Sequence, residues 1–196
     1  MFDATFVRPD LGAFCRLDEL GLEVVGQRLE PDRAVLACRV EPGELDRWCR
    51  RCGAEGVPRD TVTRRLAHEP FGWRPTTLLV TIRRFRCTGC RHVWRQDTGR
   101  AAEPRARLSR RALRWALEAI VCQHLTIARV AEALAVSWDT ANNAVLDEGR
   151  RMLIGDPNRL DGVRVLGVDE HCVRHEALLF RMEVKDHHRF AVVAVE

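Results

Sequence analysis

A chain of 196 residues with 46% hydrophobic and 31% charged residues has a globular composition, with room for one domain or several small ones. No apolar run approaches the roughly 20 residues of a membrane span. The opening Met1-Phe2-Asp3-Ala4-Thr5 has no basic stretch leading into an apolar one, so the expectation is a soluble, cytoplasmic protein with no membrane partner.

The net charge of +4 conceals an asymmetry of −5 over residues 1–46, +13 over 47–114 and −4 over 115–196. Of the 32 basic residues 31 are Arg, so abundance alone can reflect genomic base composition. The clustering is informative, because concentrated positive charge is the electrostatic footprint of nucleic-acid binding.

Along the chain, residues 22–29 and 34–40 are short β-prone runs around Glu30-Pro31-Asp32-Arg33, whose Pro-Asp centre predicts a hairpin turn. Next come two Cys-x-x-Cys turns, Cys49-Arg50-Arg51-Cys52 and Cys87-Thr88-Gly89-Cys90, separated by 34 residues. One tight turn delivers two sulfurs to one ion, so two such turns complete a tetrahedral site with no open position. A structural zinc held by Cys49, Cys52, Cys87 and Cys90 is the expectation. A redox pair would sit at a helix N-terminus in a strand–helix–strand setting, which is missing. The other cysteines, Cys15, Cys38, Cys122 and Cys172, read as free buried thiols.

Between the knuckles, runs at 60–68 and 76–86 flank Pro70-Phe71-Gly72-Trp73-Arg74-Pro75 and predict a ribbon leading directly into Cys87. Val80, Ile82 and Arg84 share one face, while Leu79, Thr81, Arg83 and Phe85 share the other. Arg64, Arg65, Arg83, Arg84 and Arg86 are the candidates for contact with a DNA backbone. The polar stretch after Asp97, with Gly99 and Pro104, reads as a basic linker.

Ser109 offers a cap to a first helix, with Leu113, Ala116, Leu117, Ile120 and Val121 at helical spacing. A second helix would bury Ile127, Val130, Ala131 and Leu134. A turn at Ala135-Val136 follows, and Ser137 would cap a third helix to about residue 153. This is the pattern of a helix-turn-helix, although the turn position that usually holds Gly is Ala135. Ser137, Trp138, Asp139, Asn142 and Asn143 are the candidate DNA-reading residues, since Asn can bond bidentately to adenine. After Gly155-Asp156-Pro157-Asn158, runs at 163–170, 178–184 and 190–195 predict three strands, with Asp169 in the first. The spacing of His171, His175, His187 and His188 fits no common catalytic motif.

This order of parts resembles the bacterial insertion-sequence transposases of the L-three type. The resemblance is carried by Arg83-Arg84-Phe85-Arg86-Cys87 with Cys90, by Val136-Ser137-Trp138-Asp139-Thr140, and by Leu166-Gly167-Val168-Asp169-Glu170-His171. It implies an α+β multidomain chain with a β-rich segment over 1–45, a zinc-ribbon-like module over 46–97 and a basic linker over 98–108. A helix-turn-helix domain over 109–155 and the first three strands of a ribonuclease-H-like domain over 162–196 would follow.

The implied function is recognition of insertion-sequence terminal repeats in double-stranded DNA, and transposition through three metal-binding carboxylates. Asp169 matches the first of these. The family's other two acids lie beyond the third strand, whereas this sequence stops at Glu196. The expectation is therefore an incomplete catalytic domain, inactive alone and using magnesium or manganese only if completed. Self-association through an uncovered apolar strand at 190–195 is also expected. The competing reading is a zinc-dependent DNA-binding regulator or repressor of transposition.

Overall fold

The computed structural model describes residues 10–163 and the strand segments 169–171, 178–182 and 191–195. The chain divides into two compact units. One runs to Ala112 and includes Ala131–Val136; the other holds Leu113–Val130 and the chain from Ser137 onward.

The first unit is built on a five-stranded sheet. A single-turn helix α1 (Leu11–Phe14), capped by the Asp10 carboxylate, precedes it. Strands β1 (Leu22–Leu29) and β2 (Ala34–Val40) pair antiparallel. The Glu30 N–H bonds the Arg33 carbonyl at 2.9 Å, which closes the expected hairpin. Strands β3 (Gly56–Phe71) and β4 (Arg74–Cys87) form a long antiparallel ribbon, and β2 lies parallel to β4, giving the order β1-β2-β4-β3. A short β5 (Val93–Arg95) pairs with β4 near the second knuckle.

The ribbon is longer than the sequence suggests because Gly72-Trp73 alone makes the turn, with Gly72 at φ +61°. Pro58 and Pro70 lie inside β3, each at a register shift, where a missing N–H does not break the ladder.

Alternation along the ribbon decides its faces. Leu66, Leu78, Val80 and Ile82 are buried with Leu17, Leu20, Leu22, Leu36 and Cys38 in the apolar core. Arg65, Thr61, Thr63 and Arg83 alternate with these positions and lie on or toward solvent. Toward the cysteines the buried side changes over. Phe85 is buried beneath its cross-strand partner Trp94, with ring centroids 5.9 Å apart.

Residues 98–108 do not form a loose linker. Ala101, Ala102 and Leu108 are buried. The Arg64 guanidinium donates to the carbonyls of Glu103 (2.6 Å) and Ala106 (2.7 Å) and to Thr98 Oγ1 (3.3 Å). Composition made this stretch look solvated, but an arginine of the ribbon takes up its backbone carbonyls. Nearby, buried His68 places Nδ1 2.9 Å from Ser109 Oγ, and that hydroxyl also accepts from the Ala112 N–H. Burial holds the His68 imidazole below its ordinary pKa.

The helices follow the expected order: α2 (Arg110–Val121), α3 (Ile127–Leu134) and α4 (Trp138–Gly149), the last running into a π-helical turn at Arg150–Ile154. At the end of α3 the Val136 N–H reaches the Ala131 carbonyl and the Ala135 N–H reaches the Glu132 carbonyl, both at 3.0 Å. That is the bond pair of a Schellman cap. Ala135 occupies its left-handed position at φ +50°, a conformation that costs a side chain about 1–2 kcal/mol. Ala135→Gly should therefore raise the unfolding free energy of the helical region by up to about 1 kcal/mol. Urea unfolding followed by helical circular dichroism checks this, and an unchanged midpoint would contradict it. Beyond the helices, β6 (Asp169–His171), β7 (Leu178–Met182) and β8 (Ala191–Val195) form a three-stranded antiparallel sheet in chain order.

Candidate metal centre and nucleic-acid interface

Each knuckle is closed by a backbone N–H that reaches back to its first cysteine. In the first, the Gly53 N–H bonds the Cys49 carbonyl at 2.9 Å, and in the second the Cys90 N–H points at Cys87 Sγ at 3.3 Å. The residue after the second cysteine is left-handed in each case, Gly53 at φ +73° and Arg91 at φ +58°. Thr88 ties the knuckles together, its hydroxyl donating to the Glu55 carbonyl at 2.8 Å. Trp94 covers the module, donating its indole N–H to the Asp46 carbonyl at 2.7 Å. It lies so close over Gly56 that a β-carbon there would meet the ring at 2.3 Å.

The four sulfurs of Cys49, Cys52, Cys87 and Cys90 lie within 4.8 Å of one another, with Cys49–Cys90 at 3.6 Å and Cys52–Cys87 at 3.4 Å. A tetrahedral zinc with Zn–S bonds of about 2.3 Å requires sulfurs about 3.8 Å apart. The donor set and geometry thus fit a closed four-thiolate metal site. Cys49 and Cys87 are buried, while Cys52 and Cys90 face solvent. The Ala54 N–H, followed by hydrogen bonds from Cys87 and Cys90, holds Cys52 below the usual thiol pKa.

Of the remaining cysteines, Cys15 and Cys38 are buried as expected, and burial, with Cys15 nearby, pushes Cys38 up to about 12. Cys122 is exposed just past the end of α2, contrary to the expectation of a buried thiol. Cys172 lies outside the described residues.

The arginines singled out on the ribbon divide into two kinds. Arg64 is spent on the 98–106 backbone, and Arg84 is ion-paired with Asp60, whose carboxyl it holds below the usual range. Neither is available as a free cation. Arg65, Arg83 and Arg86 are exposed and have no side-chain partner among the described residues. Arg65 and Arg83 share one face, and Arg86 has the opposite parity. Sequence reasoning passed over further unpartnered arginines around the knuckles, namely Arg50, Arg51, Arg91 and Arg95, whereas Arg105 and Arg107, read as part of the basic linker, are unpartnered too. Their signal was direct adjacency to the cysteines, most plainly for Arg50-Arg51 and Arg91.

In α4, Ser137 is occupied as a cap, its hydroxyl accepting from the Thr140 N–H at 3.2 Å. Ala141, Val145 and Glu148 form the buried side. Trp138, Asp139 and Asn143 are exposed and Asn142 is half-buried, so they form the outward stripe over the first two turns, as a reading helix requires. Asp169 opens β6 opposite Arg181 in register. Among the described residues no helix is long and apolar enough to cross a membrane.

Residues 99–148 match the helix-turn-helix domain of transposase family ISL3. No curated protein and no solved structure matches the chain. The match runs from the packed segment after Asp97 to the buried side of α4. It therefore assigns α3, the Schellman turn and α4 to a transposase helix-turn-helix, and the four-cysteine cluster is consistent with a zinc finger preceding it.

Proposed function

We propose, with the ISL3-type helix-turn-helix at residues 99–148 as the premise, that this protein is a transposase that recognises the ends of an insertion sequence as double-stranded DNA. In this reading Cys49, Cys52, Cys87 and Cys90 hold one structural zinc, which shapes the basic module. The ribbon face carrying Arg65 and Arg83 follows the phosphate backbone. Helix α4 enters the major groove, where Asn142 and Asn143 contact base edges and Trp138 and Asp139 line the approach. The antiparallel β6-β7-β8 sheet, with Asp169 at its start, is the proposed beginning of a metal-dependent nuclease domain of the ribonuclease-H type. Asp169 would be one of the carboxylates that hold the magnesium or manganese ions for strand transfer.

The observation that carries the reading is the match over residues 99–148, together with the outward stripe of α4. The test is binding of the purified chain to a set of duplexes selected from random sequence. Asn142→Ala or Asn143→Ala should cost roughly 1–3 kcal/mol against the preferred sequence and flatten discrimination at one base pair. A loss spread evenly over all duplexes would remove α4 from the reading role.

A further inference from the structure

The face of the ribbon opposite Arg65 and Arg83 carries a concave site that duplex binding does not explain. Val62, Arg64 and Ile82 are on this face by alternation. Together with Arg95 of β5, residues 96–99, Ala102, Pro104 and Arg105 they line a groove of about 590 Å3, within the roughly 300–1,000 Å3 typical of small-ligand sites. Val62 and Pro104 supply apolar surface, backed by the buried Ile82 and Ala102.

The rim is cationic. Arg50, Arg95 and Arg105 line it and have no side-chain partner among the described residues, whereas Asp97, the one acid present, caps the Gly99 N–H at 2.9 Å. The outer wall is held in place by Arg64, whose guanidinium donates to Thr98, Glu103 and Ala106. Arg105 is fixed at φ +64°, a left-handed conformation that a non-glycine residue keeps only when its surroundings impose it.

We propose that this groove binds unpaired nucleotides of single-stranded DNA. The convex phosphate surface of a duplex lies across an exposed ribbon face and has no use for a walled apolar floor. An unstacked base has a flat apolar face to set on Val62 and Pro104, and guanidinium planes are stacking partners for bases. Its phosphates bring the negative charge that Arg50, Arg95 and Arg105 lack. The inference rests on the DNA-binding reading above and extends it: one module holds duplex on one face and a displaced or terminal single strand on the other.

The test uses the full zinc-loaded chain and fluorescence anisotropy with two probes, a labelled 12-residue oligothymidylate and a labelled mixed-sequence duplex. Arg95→Ala/Arg105→Ala should weaken single-strand binding roughly 25-fold at 0.1 M salt and flatten its salt slope by about 1.4, at about 0.7 per lost contact. Duplex affinity should stay within about twofold. Arg65→Ala/Arg83→Ala should do the reverse. Both pairs are exposed, and unchanged zinc content and circular dichroism would verify the fold. Arg64→Ala, which frees the outer wall, should also weaken single-strand binding selectively.

Equal losses on both probes, or unchanged single-strand binding in Arg95→Ala/Arg105→Ala, would overturn the inference while leaving duplex recognition standing. Displacement of the oligothymidylate by polyglutamate of equal charge would overturn it too, making the groove a general anion site. Failure of the unaltered chain to bind either probe would instead sink the DNA-binding reading beneath it.

Discussion

Removing the metal, by chelation or by Cys49→Ser, should unfold residues 46–60 and 83–96 and leave the core part of the ribbon and the helices folded. The apolar core gathers around Leu17, Leu66, Leu78 and Val80, and no residue of 46–60 or 83–96 belongs to it. Near the knuckles the buried set is small: Cys49, Gly56, Phe85, Cys87 and Gln96, beneath Trp94. So little apolar surface does not order a module of this length. A structural zinc supplies on the order of 10–16 kcal/mol of apparent binding free energy, and in small modules that is folding free energy.

Metal analysis of protein purified without chelator should find close to one zinc per chain. After chelation, amide exchange should accelerate through β5 and the cysteine ends of β3 and β4, and the effect should fade at Ile82, where β4 enters the core. Full protection of residues 46–60 and 83–96 in metal-free protein would refute the claim that zinc organises this module.

Much of this architecture was legible because it is encoded locally. The Pro31-Asp32 turn, the two knuckles, the Ser109 and Ser137 caps and the 3.6-residue spacing in α2 to α4 each depend on residues a few positions apart, and the structure keeps them all. Pairings across the fold were not legible. Arg64 and Arg65 are neighbours of identical chemistry, yet one is turned under residues 98–106 and the other toward solvent, and the difference is strand parity set against a core that the sequence does not display.

Arg84 looked as free as Arg83 until Asp60, 24 residues earlier, was brought opposite it by the register of β3 on β4. The supposed linker was misread for the same reason, since its carbonyls are satisfied by a side chain distant in sequence. Ala135 illustrates the opposite case. The left-handed turn was correctly located even though the residue there is not the one that conformation favours.

Neutralising the ribbon's outer face should produce the second large effect, a loss of duplex binding that does not depend on base sequence. Arg65 and Arg83 project from one face, interspersed with the hydroxyls of Thr61, Thr63 and Thr81, all groups suited to phosphate oxygens. Each phosphate contact contributes about 0.9 to the salt slope of log affinity. Arg65→Gln/Arg83→Gln should therefore lower the slope by about 1.8 and weaken binding roughly 30-fold near 0.15 M salt. Selectivity between sequences should be retained, because no base contact has been removed.

Arg84→Gln is the discriminating control. Its guanidinium is committed to Asp60 in an exposed pair on the ribbon's other face. That variant should leave the salt slope unchanged. Affinity measured as a function of salt for all three proteins separates the outcomes. A slope that falls equally in Arg84→Gln would mean that net charge alone governs binding, and one that stays fixed in Arg65→Gln/Arg83→Gln would place the duplex on another surface.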